Sequence, residues 1–147
     1  MQYIYMLVAL LGGAVLPTQV GLNTLVAKAT SSPIWASGIS FFVGTMAMFV
    51  YFIASRQPWP TTQVISTIPH YAWVAGVLGA IYVTITIVVA PKIGAAMLIS
   101  LVVAGQMVAA IALDHYGLVG FTQHPINWER VTGAIMIIGG VVLIRKF

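Results

Sequence analysis

Nothing limits this chain more than its uninterrupted apolar runs, of which LVVAGQMVAAIAL at 101–113 is typical. Five such stretches occupy residues 3–27, 34–54, 71–90, 93–113 and 128–144. A helix needs about 20 mostly apolar residues to cross the hydrocarbon core of a bilayer, and each stretch comes close to that length. Membrane β-strands would alternate apolar and polar residues over about ten positions, so these unbroken runs are read as helices. Charged residues make up 5% of the chain, against about 25% in a soluble domain, and the mean hydropathy is +1.04. Water is not the main solvent of such a sequence. It predicts an all-α integral membrane protein of about five transmembrane helices, with 1–147 forming one transmembrane domain. The first run has full spanning length and reads as a retained helix, not a cleaved leader.

The links between runs are short or capped. Lys-Ala-Thr-Ser-Ser-Pro at 28–33 places Pro33 to open the second helix. Pro91-Lys92 leaves so little chain that the third and fourth helices are expected to form a tight antiparallel hairpin. The longer links 55–70 and 114–127 fall on the same side of the membrane as the N-terminus. Asn127 is placed to cap the last helix, with Glu129 in its first turn. Trp59, Trp73, Trp128, Tyr3, Tyr5, Tyr71 and Tyr116 gather towards the N-terminal face and Trp35 towards the other, as interfacial aromatics do.

The formal net charge of +4 points to nucleic acid only superficially, because the six Lys and Arg are scattered at helix ends. Arg56 and Arg130 lie on the N-terminal side, and Lys28, Lys92, Arg145 and Lys146 on the other. Two basic residues against four favour a cytoplasmic C-terminus, by a margin small enough to permit mixed orientation. The chain has no Cys, so neither disulfides nor thiolate metal sites are available. His70, His115 and His124 lack metal-site spacing. No nucleophile–base set, phosphate loop or carboxylate pair is present, which argues against an enzyme, and no cofactor is called for.

Polar side chains inside lipid are costly and normally turn towards the bundle interior or a water-filled path. The first helix carries Thr18, Gln19, Asn23 and Thr24, with Pro17 beside them. Gln19 and Asn23 are four apart and share a face. Pro17 frees the carbonyl of Gly13 and is expected to kink the helix there. These amides either bond neighbouring helices or line a substrate path, since broken helices recur at transporter sites. Tyr82 and Thr86 repeat the four-residue spacing in the third helix. Thr86, like Thr84, is the weaker signal, because a helical Thr commonly bonds its own backbone. Gln106, mid-way along the fourth helix, has no such local partner.

Asp114 is one of two acids in the chain and ends the fourth run in LDHYG. It either exchanges a proton, with His115 beside it, or caps a turn and pairs with Arg130. Glu129 and Arg130 are expected to form a surface pair. Gly133 and Gly140, seven residues apart, share a seam on the last helix, where small residues let helices approach closely. Nearly bare of polar groups, that helix suits a protein–protein contact.

These segments resemble a known family. GGAVLPTQVGLNTLVAKATSSPIWASGISFFVGTMAM looks like the first two helices of the YdcZ-type family in the drug/metabolite transporter superfamily. GVLGAIYVTITIVVAPKIGAAMLISLVVAGQMVAAIALDHYG resembles its third and fourth helices, and RVTGAIMIIGGVVLI its last. GAIMIIGGV is also similar to the last-helix dimerisation motif of small multidrug resistance proteins, which would give Gly133, Gly140 and Val141 a dimer-contact role. The essential mid-helix Glu of that sister family has no counterpart here, where the first helix offers Gln19 and Asn23. The resemblance implies a multi-pass protein of the inner (cytoplasmic) membrane. It further implies a five-helix half-transporter that pairs with an inverted copy or a paralogue, giving ten helices. The expected activity is export of a small molecule by alternating access, possible proton coupling falling to Asp114 and the path to Gln19, Asn23, Tyr82, Thr86 and Gln106. Two rival readings are a passive dual-topology channel for a small ion and a non-transporting membrane adaptor.

Overall fold

A computed structural model describes residues 2–146. Its elements are α1 (Gln2–Thr30), α2 (Pro33–Ala54), a short α3 (Thr62–Ser66), a 3-10 turn (His70–Trp73), α4 (Val74–Ile93), α5 (Ala95–Tyr116) and α6 (Trp128–Lys146). No strand occurs among the described residues, in agreement with the all-α expectation. Four segments are long and apolar enough to cross a membrane by length and composition: α1, α2, α5, and the 3-10 turn continued by α4. The fifth, α6, falls outside that set. Its 19 residues include Glu129, Arg130, Arg145 and Lys146, and the uncharged run 131–144 reaches only ~21 Å at ~1.5 Å per residue.

The chain divides into two compact units, residues 1–92 and 93–147. In the first, α1 and α2 form a hairpin whose turn is two residues long. Thr30 ends α1 and Ser31 adopts φ 53°, so that the N–H of Ser32 reaches back to the Ala27 carbonyl at 3.1 Å. This six-to-one bond satisfies a carbonyl that the helix end would orphan. The Ser32 hydroxyl then accepts from the N–H of Trp35, and Pro33 opens α2 as its sequence position predicts. Below the turn, Ala36 of α2 packs with Val83 and Ile87 of α4, and Val26, Ala27 and Tyr82 close around them. Ser37 and Thr84 share a 2.7 Å hydrogen bond. Because the Thr84 hydroxyl donates to the Ala80 carbonyl, Ser37 is the donor in that pair. Beyond the end of α2, Trp59 folds back so that its ring meets Phe52 of α2 edge-on at 4.6 Å.

Pro91 and Lys92 are part of α4, not a link after it. The break falls one residue beyond Ile93, at Gly94, whose φ of 80° and ψ of 160° belong to a region only glycine occupies readily. Pro91 sits in the last turn, where its fixed φ is compatible with helix and just one backbone bond is forfeited.

In the second unit, α5 and α6 pack together. Gly117 (φ 61°) ends α5 in a left-handed cap, with the Leu118 N–H bonded to the Leu113 carbonyl. Val119 (φ 56°) and Gly120 (φ 85°) continue the tight winding of the loop. Asn127 does cap α6: its side-chain oxygen accepts the N–H of Arg130 at 2.9 Å. Among the described residues only Val20, Ala36, Val83, Ile87, Leu98 and Val141 are buried apolar side chains. Large apolar groups such as Leu10, Phe42 and Met136 stand fully outward, which suits contact with acyl chains.

Candidate functional site

The long helices hold ten hydroxyl side chains from Ser and Thr. Thr24, Thr30, Thr45, Thr84, Thr86, Ser100 and Thr132 each donate to a carbonyl three or four residues back in their own helix, and Ser37 bonds Thr84. Helical hydroxyls in lipid usually behave this way, since no water is present to serve them. Thr18 and Ser40 differ, having no hydrogen bond to any described residue. Both line one cavity of about 330 Å³ between α1 and α2, together with Gln19 and Asn23. Neither amide is bonded within the described chain either. Asn23 is 7% exposed, with its carboxamide facing the cavity, whereas Thr18 and Gln19 are exposed.

A second cavity of about 460 Å³ adjoins the first, sharing Gln19 and Ser40 with it. Phe41, Gly44, Thr45 and Met48 of α2 and Val83 of α4 complete its lining. Gly79 of α4 sets the position of Phe41: a Cβ there would come within 3.2 Å of the ring. No charged side chain lines either cavity. The groove is thus apolar, with two amides and two free hydroxyls facing into it.

Of the five path residues expected from sequence, Gln19 and Asn23 meet in this groove. Thr86 does not: it is 2% exposed and donates to the Val83 carbonyl at 2.8 Å. Its burial and backbone bond give it a packing role in this conformation. Tyr82 lines neither cavity, but its hydroxyl is buried without a hydrogen-bond partner. Gln106 belongs to the second unit, where its side chain is exposed. Pro17 is half-buried inside an α1 that runs unbroken from Gln2 to Thr30. Ser40, Gly44 and Met48 were not anticipated from sequence. The signal was present in the small or polar stripe Ser37, Ser40 and Gly44, which recurs every three to four residues along α2.

The second polar cluster surrounds Asp114 at the end of α5. Its carboxylate accepts from the Arg130 guanidinium at 2.5 Å. The Glu129–Arg130 surface pair expected from sequence is therefore corrected, since Arg130 reaches across to α5 instead. Arg130 also donates to the His124 carbonyl, and the His124 N–H donates to the Asp114 carbonyl. His115 is held in the same web: its Nδ1 accepts the Ile126 N–H and its carbonyl accepts from Gln123. That bond requires Nδ1 to be unprotonated, which places the ring proton on Nε2. No group of three or more His, Cys, Asp or Glu that could hold a metal occurs among the described residues.

On α6, Val141 is buried at 8% exposure, and with Gly140 it lines a groove against Ile99, Ser100 and Val103 of α5. Gly133 lines a neighbouring one with Asp114 and Arg130. This seam therefore serves a contact inside the chain first. Met136, Val142 and Leu143 form the outward side of α6.

Apolar helices of spanning length, with unbonded polar groups along an open α1–α2 groove, define a helical membrane protein. Residues 4–143 match the family described as "Putative inner membrane exporter, YdcZ". The chain belongs to this family, in the drug/metabolite transporter superfamily, and is a multi-pass protein of the inner membrane. No curated protein and no solved structure matches it.

Proposed function

We propose that the protein exports a small molecule through the α1–α2 groove, with Gln19 and Asn23 as its principal polar contacts. The observation that carries this reading is the segregation of unbonded polar groups. Eight helical hydroxyls are served internally, whereas Thr18, Ser40 and the two amides keep their hydrogen-bonding capacity open to one cavity. Asn23 is the buried member of this set, while Thr18 and Gln19 stand exposed on the cavity's open side. Burying an amide without a partner costs free energy in lipid, and a passing substrate or its water supplies the missing bonds. Lack of charge in the lining supports a polar uncharged, zwitterionic or hydrophobic substrate over a permanent cation.

The groove is open along its side, so a transport path needs further walls. An inverted second copy, or a paralogue, would supply them in the manner of inverted-repeat transporters. Alternating access about that two-fold interface gives the unpartnered Tyr82 hydroxyl and exposed Gln106 a place to find partners in the other state. Asp114 is the candidate for proton coupling: a proton on its carboxylate would release Arg130 and loosen the α5–α6 junction. Gln19→Ala and Asn23→Ala, assayed in proteoliposomes, are each expected to impair transport while leaving the purified oligomer unchanged. Normal transport by both variants would return these amides to packing.

A further inference from the structure

Resting on the reading of the groove as the substrate path, we infer that Asn23 selects neutral substrates carrying an amide-type edge, a hydrogen-bond donor and acceptor side by side, on an apolar body. Asn23 is more than nine-tenths buried, lines the smaller cavity and has no hydrogen-bond partner among the described residues. A carboxamide offers both an N–H donor and a carbonyl acceptor, so a group presenting the reverse pair satisfies it completely. A hydroxyl, ketone or ether satisfies half of it. Gln19 lies on the same face of α1, one helical turn or ~6 Å away, and, being exposed at the cavity's open side, offers a second carboxamide there.

The remainder of the lining specifies what accompanies that edge. Leu22, Val26, Ile39 and Val43 present only hydrocarbon to the cavity, so the substrate's body is apolar. A cation or anion would enter without a counter-charge, because no Asp, Glu, Lys, Arg or His lines the groove. Desolvating an ion against such walls is strongly unfavourable. The site therefore rejects charge and rewards a matched pair of neutral hydrogen bonds, which is where discrimination between near-isosteric ligands is greatest.

Four near-isosteric probes test this on the purified full-length protein in lipid nanodiscs: benzamide, acetophenone, benzoate and benzylammonium, with affinities read by calorimetry. Benzamide is expected to bind about tenfold more tightly than acetophenone, and more tightly than either ion. Asn23→Leu should weaken benzamide more than acetophenone, which forfeits only one of the two bonds, and bring the two probes to about the same affinity. Asn23→Ala serves the same comparison should leucine disturb assembly. Val43→Trp, which fills the cavity, should abolish binding of all four probes. A benzamide preference that survives loss of the Asn23 amide, or benzylammonium binding as tightly as benzamide, overturns the inference while Val43→Trp still upholds the groove. Binding untouched by Val43→Trp, or no binding by any probe, overturns the groove reading itself.

Discussion

Asp114 and Arg130 are joined across the α5–α6 junction, and each stands at the unfavourable pole of its own helix. Asp114 lies in the last turn of α5 and Arg130 in the first turn of α6, whereas helix dipoles favour a cation at the C-terminus and an anion at the N-terminus. Neither charge is well placed by itself, and each is stabilised by the other. Their side chains are 23% and 33% exposed, so the pair is partly screened and worth about 1 kcal/mol by the standard of exposed pairs.

Exchange of the two charges is the sharpest test of that account. Asp114→Arg combined with Arg130→Asp restores the pair and places both charges at their favourable poles. Thermal unfolding in detergent should find the double variant at least as stable as the parent, and each single variant less stable. A double variant no better than the singles would show that the bridge contributes little.

Removal of the acid addresses coupling. Asp114→Asn is expected to abolish the pH dependence of transport in proteoliposomes while the protein still inserts and pairs. Should the pH profile be retained, Asp114 drops out of the transport cycle and the junction is structural.

Tyr82→Phe deletes the one hydroxyl among the described residues that is fully buried without a partner. An unsatisfied buried donor costs ~1–3 kcal/mol, so the variant should unfold at higher temperature. If the hydroxyl finds its partner in the other access state, transport should fall at the same time. A fall in thermal stability would instead mean that the ring packs around a bond already made.

Gly79→Ala tests the width of the larger cavity. The new Cβ would come within 3.2 Å of the Phe41 ring, which must move by a few tenths of an ångström within the wall it forms. Transport of bulky substrates should decline more than that of small ones, with little change in expression. Equal effects on both would detach Phe41 from the path.

The fold was legible because lipid imposes simple rules. Span length and the sparsity of charge identified all the long helices, and Pro33 and Asn127 marked where two of them begin. Pro91 was misread as a link because a proline in the last helical turn looks, in sequence, like one just beyond it. Only the unusual φ of Gly94 separates the two cases. At the site, the four-residue spacing of Gln19 and Asn23 was sufficient to place them together. Which hydroxyls would join them was not, because Ser40 and Ser37 are the same residue type on one helix, and only tertiary contact with Thr84 distinguishes the bonded from the free. The sequence offered Arg130 two partners, Glu129 by adjacency and Asp114 across the loop, and only the fold of the loop that carries α6 back to the end of α5 selects Asp114.

The two-residue turn at Ser31–Ser32 has a consequence for biogenesis. With the helix end, the serine cap and Pro33 all fixed locally, α1 and α2 carry no slack and are set to leave the ribosome's exit path as one hairpin. Entering the bilayer together, they would shield Asn23 from hydrocarbon at the moment of insertion. A lengthened turn would then impair insertion yield before it impaired the finished protein.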